Sequence, residues 1–143
     1  MPDRRTILVC SCEDTMPLDA GALERGCRGA DIVSGRQLCR AELERFRALA
    51  ASGAPVTVGC TQEAPLFREV AGESGSELTF ANLRESAGWS AEAAKAGPKM
   101  AALAAAAAMP MPDVPSVQIE SSGVLLVYGR DERAIEASSL LKE

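Results

Sequence analysis

Five cysteines are the residues in this chain best equipped for chemistry, and four of them fall at the ends of short apolar runs. Thr6-Ile7-Leu8-Val9 runs into Cys10-Ser11-Cys12, a C-x-C pair. Val56-Thr57-Val58-Gly59 runs into Cys60, and Asp31-Ile32-Val33 is followed by a polar link to Leu38-Cys39-Arg40. Thiolates are soft ligands suited to iron–sulfur clusters or zinc. The spacing is not the compact C-x-x-C of zinc ribbons or ferredoxins, so a site has to be assembled from separate segments. Taken singly, each cysteine also reads as a small buried hydrophobe.

The chain has no histidine, which removes the commonest general base and metal ligand. Histidine-dependent hydrolase triads, Cys-His proteases and His-containing zinc sites are thereby excluded as self-contained chemistry. The fifth cysteine, Cys27, lies between Arg25 and Arg28. Such neighbours lower a thiol pKa, but an incidental thiol in a turn is the favoured reading.

The four strand-end cysteines need a scaffold that brings their segments together. Apolar β-forming runs cover Thr6–Val9, Asp31–Val33, Val56–Gly59 and Leu78–Ala81. Helical patterns alternate with them: Leu18–Arg25 with Asp19 in its first turn, Gln37 or Ala41 to Ala51, a helix after Thr61 (a candidate N-cap) with Pro65 in its first turn and closed by Gly72–Gly75, and Ala91–Met109 broken near Gly97-Pro98. Asn82 to Ser90 reads as a polar loop holding the only Trp, Trp89. Strand–helix alternation with short links predicts an α/β fold: a three-layer, mainly parallel open sheet of Rossmann or flavodoxin-like type, with helices on both faces. In such a sheet the C-terminal strand edges form one rim, where ligands bind. Cys10, Cys12, Cys39 and Cys60 are expected on that rim, with Arg84, Glu85 and Trp89 as candidate lining.

The organisation expected is a cysteine-bearing domain over 1–109, a Pro-rich linker over 110–115, and a strand–helix unit over 116–143 that opens a following domain of a longer protein. In that unit Gly123–Gly129 reads as strand into turn, and Asp131–Leu141 as helix. Gly129 stands without the G-x-G-x-x-G fingerprint, which disfavours nucleotide binding there. The 143 residues carry a formal net charge of −5 and no Lys/Arg-rich block, arguing against nucleic acid and anionic membrane surfaces as partners. Pro2-Asp3-Arg4-Arg5 leads into too short an apolar run for a signal peptide, and no stretch reaches membrane-spanning length. A cytoplasmic setting is expected, where cysteines serve as free thiols, redox groups or ligands.

The motifs together resemble the N-terminal domain of the flavoprotein component of heterodisulfide reductase and related iron–sulfur flavoproteins, including proteins of the ferredoxin-type 4Fe-4S binding class. The resemblance rests on Ile7-Leu8-Val9-Cys10-Ser11-Cys12, Leu38-Cys39-Arg40, Val56 to Phe67, and Asn82-Leu83-Arg84-Glu85 with Trp89-Ser90, and continues into the helix holding Lys99, Met100 and Leu103. It covers residues 6 to 108. It implies an electron-transfer role, a 4Fe-4S cluster in this domain or its parent, and as partners the rest of the parent chain and redox proteins. Cys10, Cys12, Cys39 and Cys60 are then the implied ligands, with Arg84 in the surrounding shell. The chain departs from the pattern at Glu13, where Gly is frequent, at Gln62-Glu63, and at Cys27. Two other expectations stand beside this one: a docking domain without its own cluster, and a dithiol/disulfide module using Cys10 and Cys12.

Overall fold

The structure is a computed structural model, and it describes residues 4–72, 75–111 and 115–141. The chain divides into two compact units, Met1–Pro110 and Met111–Glu143. Pro2 and Asp3, part of the turn at Gly72–Gly75, and residues 112–114 of the expected linker lie outside the described residues.

In the first unit, β1 (Thr6–Cys10), β2 (Asp31–Gly35), β3 (Val56–Val58) and β4 (Leu78–Phe80) form an open sheet in the order β2-β1-β3-β4. Every pairing is parallel: Thr6 to Cys10 match Asp31 to Gly35, Thr6 to Leu8 match Val56 to Val58, and Val56 to Val58 match Leu78 to Phe80. Helices α1 (Ala20–Gly26), α2 (Leu43–Ala50), α3 (Ala64–Ala71) and α4 (Gly97–Ala107) cover it.

Alternation along β1 sorts the core into two layers, because successive strand side chains point to opposite faces. Ile7 and Val9 pack with Leu23, Cys27, Leu83, Met100, Ala101 and Ala104, on the side of α1 and α4. Leu8 packs with Leu38, Phe46, Ala50, Val58 and Phe67, on the side of α2 and α3. The Phe46 and Phe67 rings meet edge to face, with centroids 4.7 Å apart. The three-layer α/β architecture follows from these two apolar fills.

The helices begin later than the sequence patterns suggest, for local reasons. Asp19 caps α1 rather than joining its first turn, its carboxylate accepting from the Ala22 N–H at 2.9 Å. Helix α2 starts only at Leu43, because the Glu42 carboxylate accepts the Arg36 and Gln37 N–H groups at 2.5 and 2.6 Å and holds 37–42 in turns. Thr61 does not cap α3: the N-cap is Glu63, and Pro65 sits in the first turn as expected. Residues 91–96 form only a short 3-10 turn, Ala93–Lys95, and α4 starts at Gly97-Pro98, where proline's fixed φ suits a first turn. The expected polar loop contains a π-helical turn, Arg84–Gly88.

The second unit holds α5 (Glu132–Leu140), capped by Asp131. Gly123–Gly129 is not a strand. Val124, Leu125 and Leu126 are 85%, 65% and 87% exposed and pair with no strand among the described residues, and β-propensity alone makes no ladder. Among the described residues no helix is long and apolar enough to cross a membrane.

Candidate functional site

The strand order creates the site. The chain leaves β1 to one side for β2 and then crosses to the other side for β3. Where the connections diverge, a crevice opens beyond the carboxyl ends of the strands. One pocket of about 200 Å³ occupies this rim, lined by Cys10, Cys12, Cys39, Cys60 and Arg84 together with Glu13, Met16, Gln37 and Glu63. Leu38 and Phe67 from the core close its apolar floor.

Cys10 ends β1 on the same face as Leu8, and Cys39 and Cys60 border the same apolar layer. Cys60 reaches the rim because Gly59 continues β3 flat against β1. The Gly59 N–H donates to the Leu8 carbonyl at 2.7 Å, and a Cβ at Gly59 would stand 2.7 Å from Leu83 Cδ1. A side chain at Gly59 would have to displace the buried Leu83 side chain and would crowd the Leu8 carbonyl at 3.1 Å.

Cys12 sits in an unusual turn. Cys12, Glu13 and Asp14 have φ of 51°, 60° and 64°, a left-handed run without glycine. Such residues cost about 1–2 kcal/mol each. Straps from the flanking segment hold the turn: Ser11 N–H to the Gly35 carbonyl at 2.9 Å, and Glu13 N–H to the Arg36 carbonyl at 2.8 Å. Glu13 has a positive φ, a conformation that glycine adopts at the least cost. The turn also aims the Cys12 N–H at Cys10 Sγ, 3.3 Å away. As a thiol, Cys10 donates to the Arg36 carbonyl at 3.2 Å.

The Asn82-Leu83-Arg84-Glu85 stretch forms the opposite wall, with one task per residue. Asn82 accepts the Glu85 N–H at 3.1 Å and opens the π-turn. Leu83 is fully buried in the core and anchors it. Arg84 donates through Nη1 to Cys12 Sγ at 3.6 Å, and through Nη2 to the Glu85 carboxylate at 2.5 Å. Its guanidinium lies 4.3 Å from the centre of the Trp89 ring. π-Turns recur at functional sites because they redirect side chains within a helix-like backbone.

Electrostatics differ along the rim. Burial pushes the Cys39 thiol above its ordinary range, and Glu63, Cys60 and Cys10 beside it push further. Burial also raises Cys60, against the Glu63 and Gln62 N–H groups and the Arg84 charge, which favour its thiolate. The hydrogen bond to Cys12, then that to Glu85, hold the Arg84 guanidinium more firmly protonated than usual. For Glu85, burial is the largest influence and acts upward, but Arg84 and a backbone N–H together outweigh it and lower the carboxyl.

Cys27 belongs elsewhere. It is buried at the C-terminus of α1, donates to the Ala101 carbonyl at 3.5 Å, and burial raises its pKa. That is the reverse of the activation its flanking arginines suggest, because both packing and desolvation act against a thiolate. Sequence reasoning missed Glu13, Met16, Gln37 and Thr15 as members or supports of the rim, and their types and spacing carry no signal for it.

Among the described residues, no three His, Cys, Asp or Glu groups cluster as a site for a single metal ion. The thiols instead share the walls of one pocket. Comparison with family models, curated proteins and solved structures finds no significant match for this chain.

Proposed function

We propose that this chain is an electron-transfer domain whose rim cysteines hold a 4Fe-4S cluster. The observation that carries the reading is the shared pocket lined by Cys10, Cys12, Cys39, Cys60 and Arg84. The residues fit the group in three respects. Four thiols are the donor set such clusters require. They line one shared pocket of about 200 Å³. An N–H group faces Cys10, Arg84 donates to Cys12, and the N–H groups at Cys60 together with the Arg84 charge oppose part of the burial that raises the Cys60 thiol. Hydrogen bonds and charge near ligating sulfurs tune the potential of such centres.

When bound, the cluster supplies reversible one-electron storage. This chain's own residues bind and orient it: the four thiolates ligate, Phe67 and Leu38 keep one side dry, and Arg84 offsets negative charge. The role proposed is that of an electron carrier. Its partners are redox proteins and further domains of a parent chain related to the heterodisulfide reductase flavoprotein, in the cytoplasm.

The test is anaerobic reconstitution with ferrous iron and sulfide, on wild type and Cys39→Ser. About four irons per chain, with visible absorbance that the variant loses, is the expected result. No iron in either protein overturns the reading and leaves a docking domain with packing cysteines.

A further inference from the structure

Trp89 is 53% exposed, yet both its ring face and its indole N–H are engaged. Its ring stacks on the Arg84 guanidinium at 4.3 Å, and its indole N–H donates to Thr15 Oγ1 at 3.0 Å. The Thr15 hydroxyl in turn donates to the Cys12 carbonyl at 2.7 Å. Arg84 completes the circuit by donating to Cys12 Sγ at 3.6 Å. One side chain thus ties the π-turn after β4 to the left-handed turn after β1, through two independent contacts that both end on Cys12.

We propose that Trp89 is a positioning residue that fixes Arg84 and the Cys12 turn relative to each other, holding the Cys12 sulfur in its ligating position. The inference rests on the cluster reading above.

The physical argument concerns what Arg84 does without the indole. Its second partner, Glu85, takes Nε and Nη2 at 2.8 and 2.5 Å, but that carboxylate is adjacent in sequence and partly exposed, so the pair by itself anchors the guanidinium to no other segment across the crevice. Stacking on an indole removes that freedom, because a cation is drawn to the negative face of the ring. The Thr15 bond acts on the other side of the gap. It braces a turn in which Cys12, Glu13 and Asp14 are all left-handed and therefore ready to relax. A Trp present only for packing would be buried, with its ring among apolar neighbours. This one is half in solvent and spends its contacts on a cation and a hydroxyl.

Because Trp89 is the only tryptophan, the metal-free chain reports on the clamp directly. Thr15→Val and Arg84→Gln each remove one contact. Both are expected to shift the emission to the red and to increase acrylamide quenching about twofold. Emission unchanged in both variants overturns the clamp, whatever the metal content. On the reconstituted full chain, Trp89→Leu is expected to lose iron to a chelator severalfold faster than wild type and to move the midpoint potential to more negative values, with the unfolding midpoint of the metal-free form unchanged. Trp89→Phe, which keeps a ring for Arg84 but not the Thr15 bond, is expected to restore part of both effects. Iron retention and potential equal to wild type in Trp89→Leu overturn the role of Trp89 alone. Failure of wild type to hold iron overturns the cluster reading and this inference with it, while the emission arm still decides whether the clamp exists.

Discussion

The Arg84 guanidinium meets the Cys12 sulfur at 3.6 Å across 72 positions of sequence. The contact joins the turns after β4 and β1, at opposite sides of the crevice formed by the strand order. Arg84→Gln keeps a donor there and removes the charge. The variant is expected to bind iron under anaerobic reconstitution but to release it faster during gel filtration. Arg84→Lys restores charge without the planar stacking face and falls between the two. Metal-free stability should change by less than about 1 kcal/mol, because the Glu85 pair is partly solvated.

Serine in place of Cys10, Cys12, Cys39 or Cys60 is expected to lower bound iron in each case. Cys27→Ala should leave iron binding intact. Its sulfur packs between α1 and α4, so the cost appears instead as about 1 kcal/mol of stability, read by urea denaturation. Equal iron loss in all five variants would show that global destabilisation, rather than ligation, governs metal content.

Alkaline pH should destabilise the metal-free protein. Burial raises the Cys27 thiol, so the native chain keeps that proton where the unfolded chain releases it. Its contribution is fully present below the ordinary thiol value of about 9 and is lost as pH rises through the native value. Cys39 and Cys60 act with the same sign. Urea midpoints measured from about pH 7 to about pH 10 should therefore fall, and should fall less steeply in Cys27→Ala.

Gly88→Ala is expected to cost about 1–3 kcal/mol. A Cβ at Gly88 would overlap the sulfur of the buried Met16 and lie 2.9 Å from its Cβ, an atom that cannot move without the backbone. Because Gly88 closes the π-turn that starts at Arg84, iron retention should drop along with the thermal midpoint. A variant of wild-type stability would show that the close approach of this turn to Met16 is not maintained in solution.

Much of this architecture is legible in the chain. Short apolar β-runs alternating with helical patterns dictate an α/β sheet, since each strand and helix has one face to bury. The alternation of Ile7, Leu8 and Val9 already implies a strand covered on both sides. The positions of Cys10 and Cys60 at strand ends place them on the ligand-binding edge of any parallel sheet. Cys39 is less direct, because it lies in turns after β2 whose path depends on Glu42 capturing two backbone N–H groups.

What only tertiary structure decides is adjacency and register. Nothing in composition or spacing says that β1 lies between β2 and β3, and without that order the cysteines share an edge but no pocket. Local patterns report which face a residue turns to the core. They are silent on which distant segment lies opposite, because strand pairing is fixed by the summed burial of the whole core. The same holds for Gly123–Gly129, strand-like in residue type and unpaired in the structure. The left-handed turn at Cys12 is likewise held by the Gly35 and Arg36 carbonyls of a neighbouring segment, and it meets the π-turn at Arg84 through Trp89 and Thr15, contacts between distant segments that no local pattern reports.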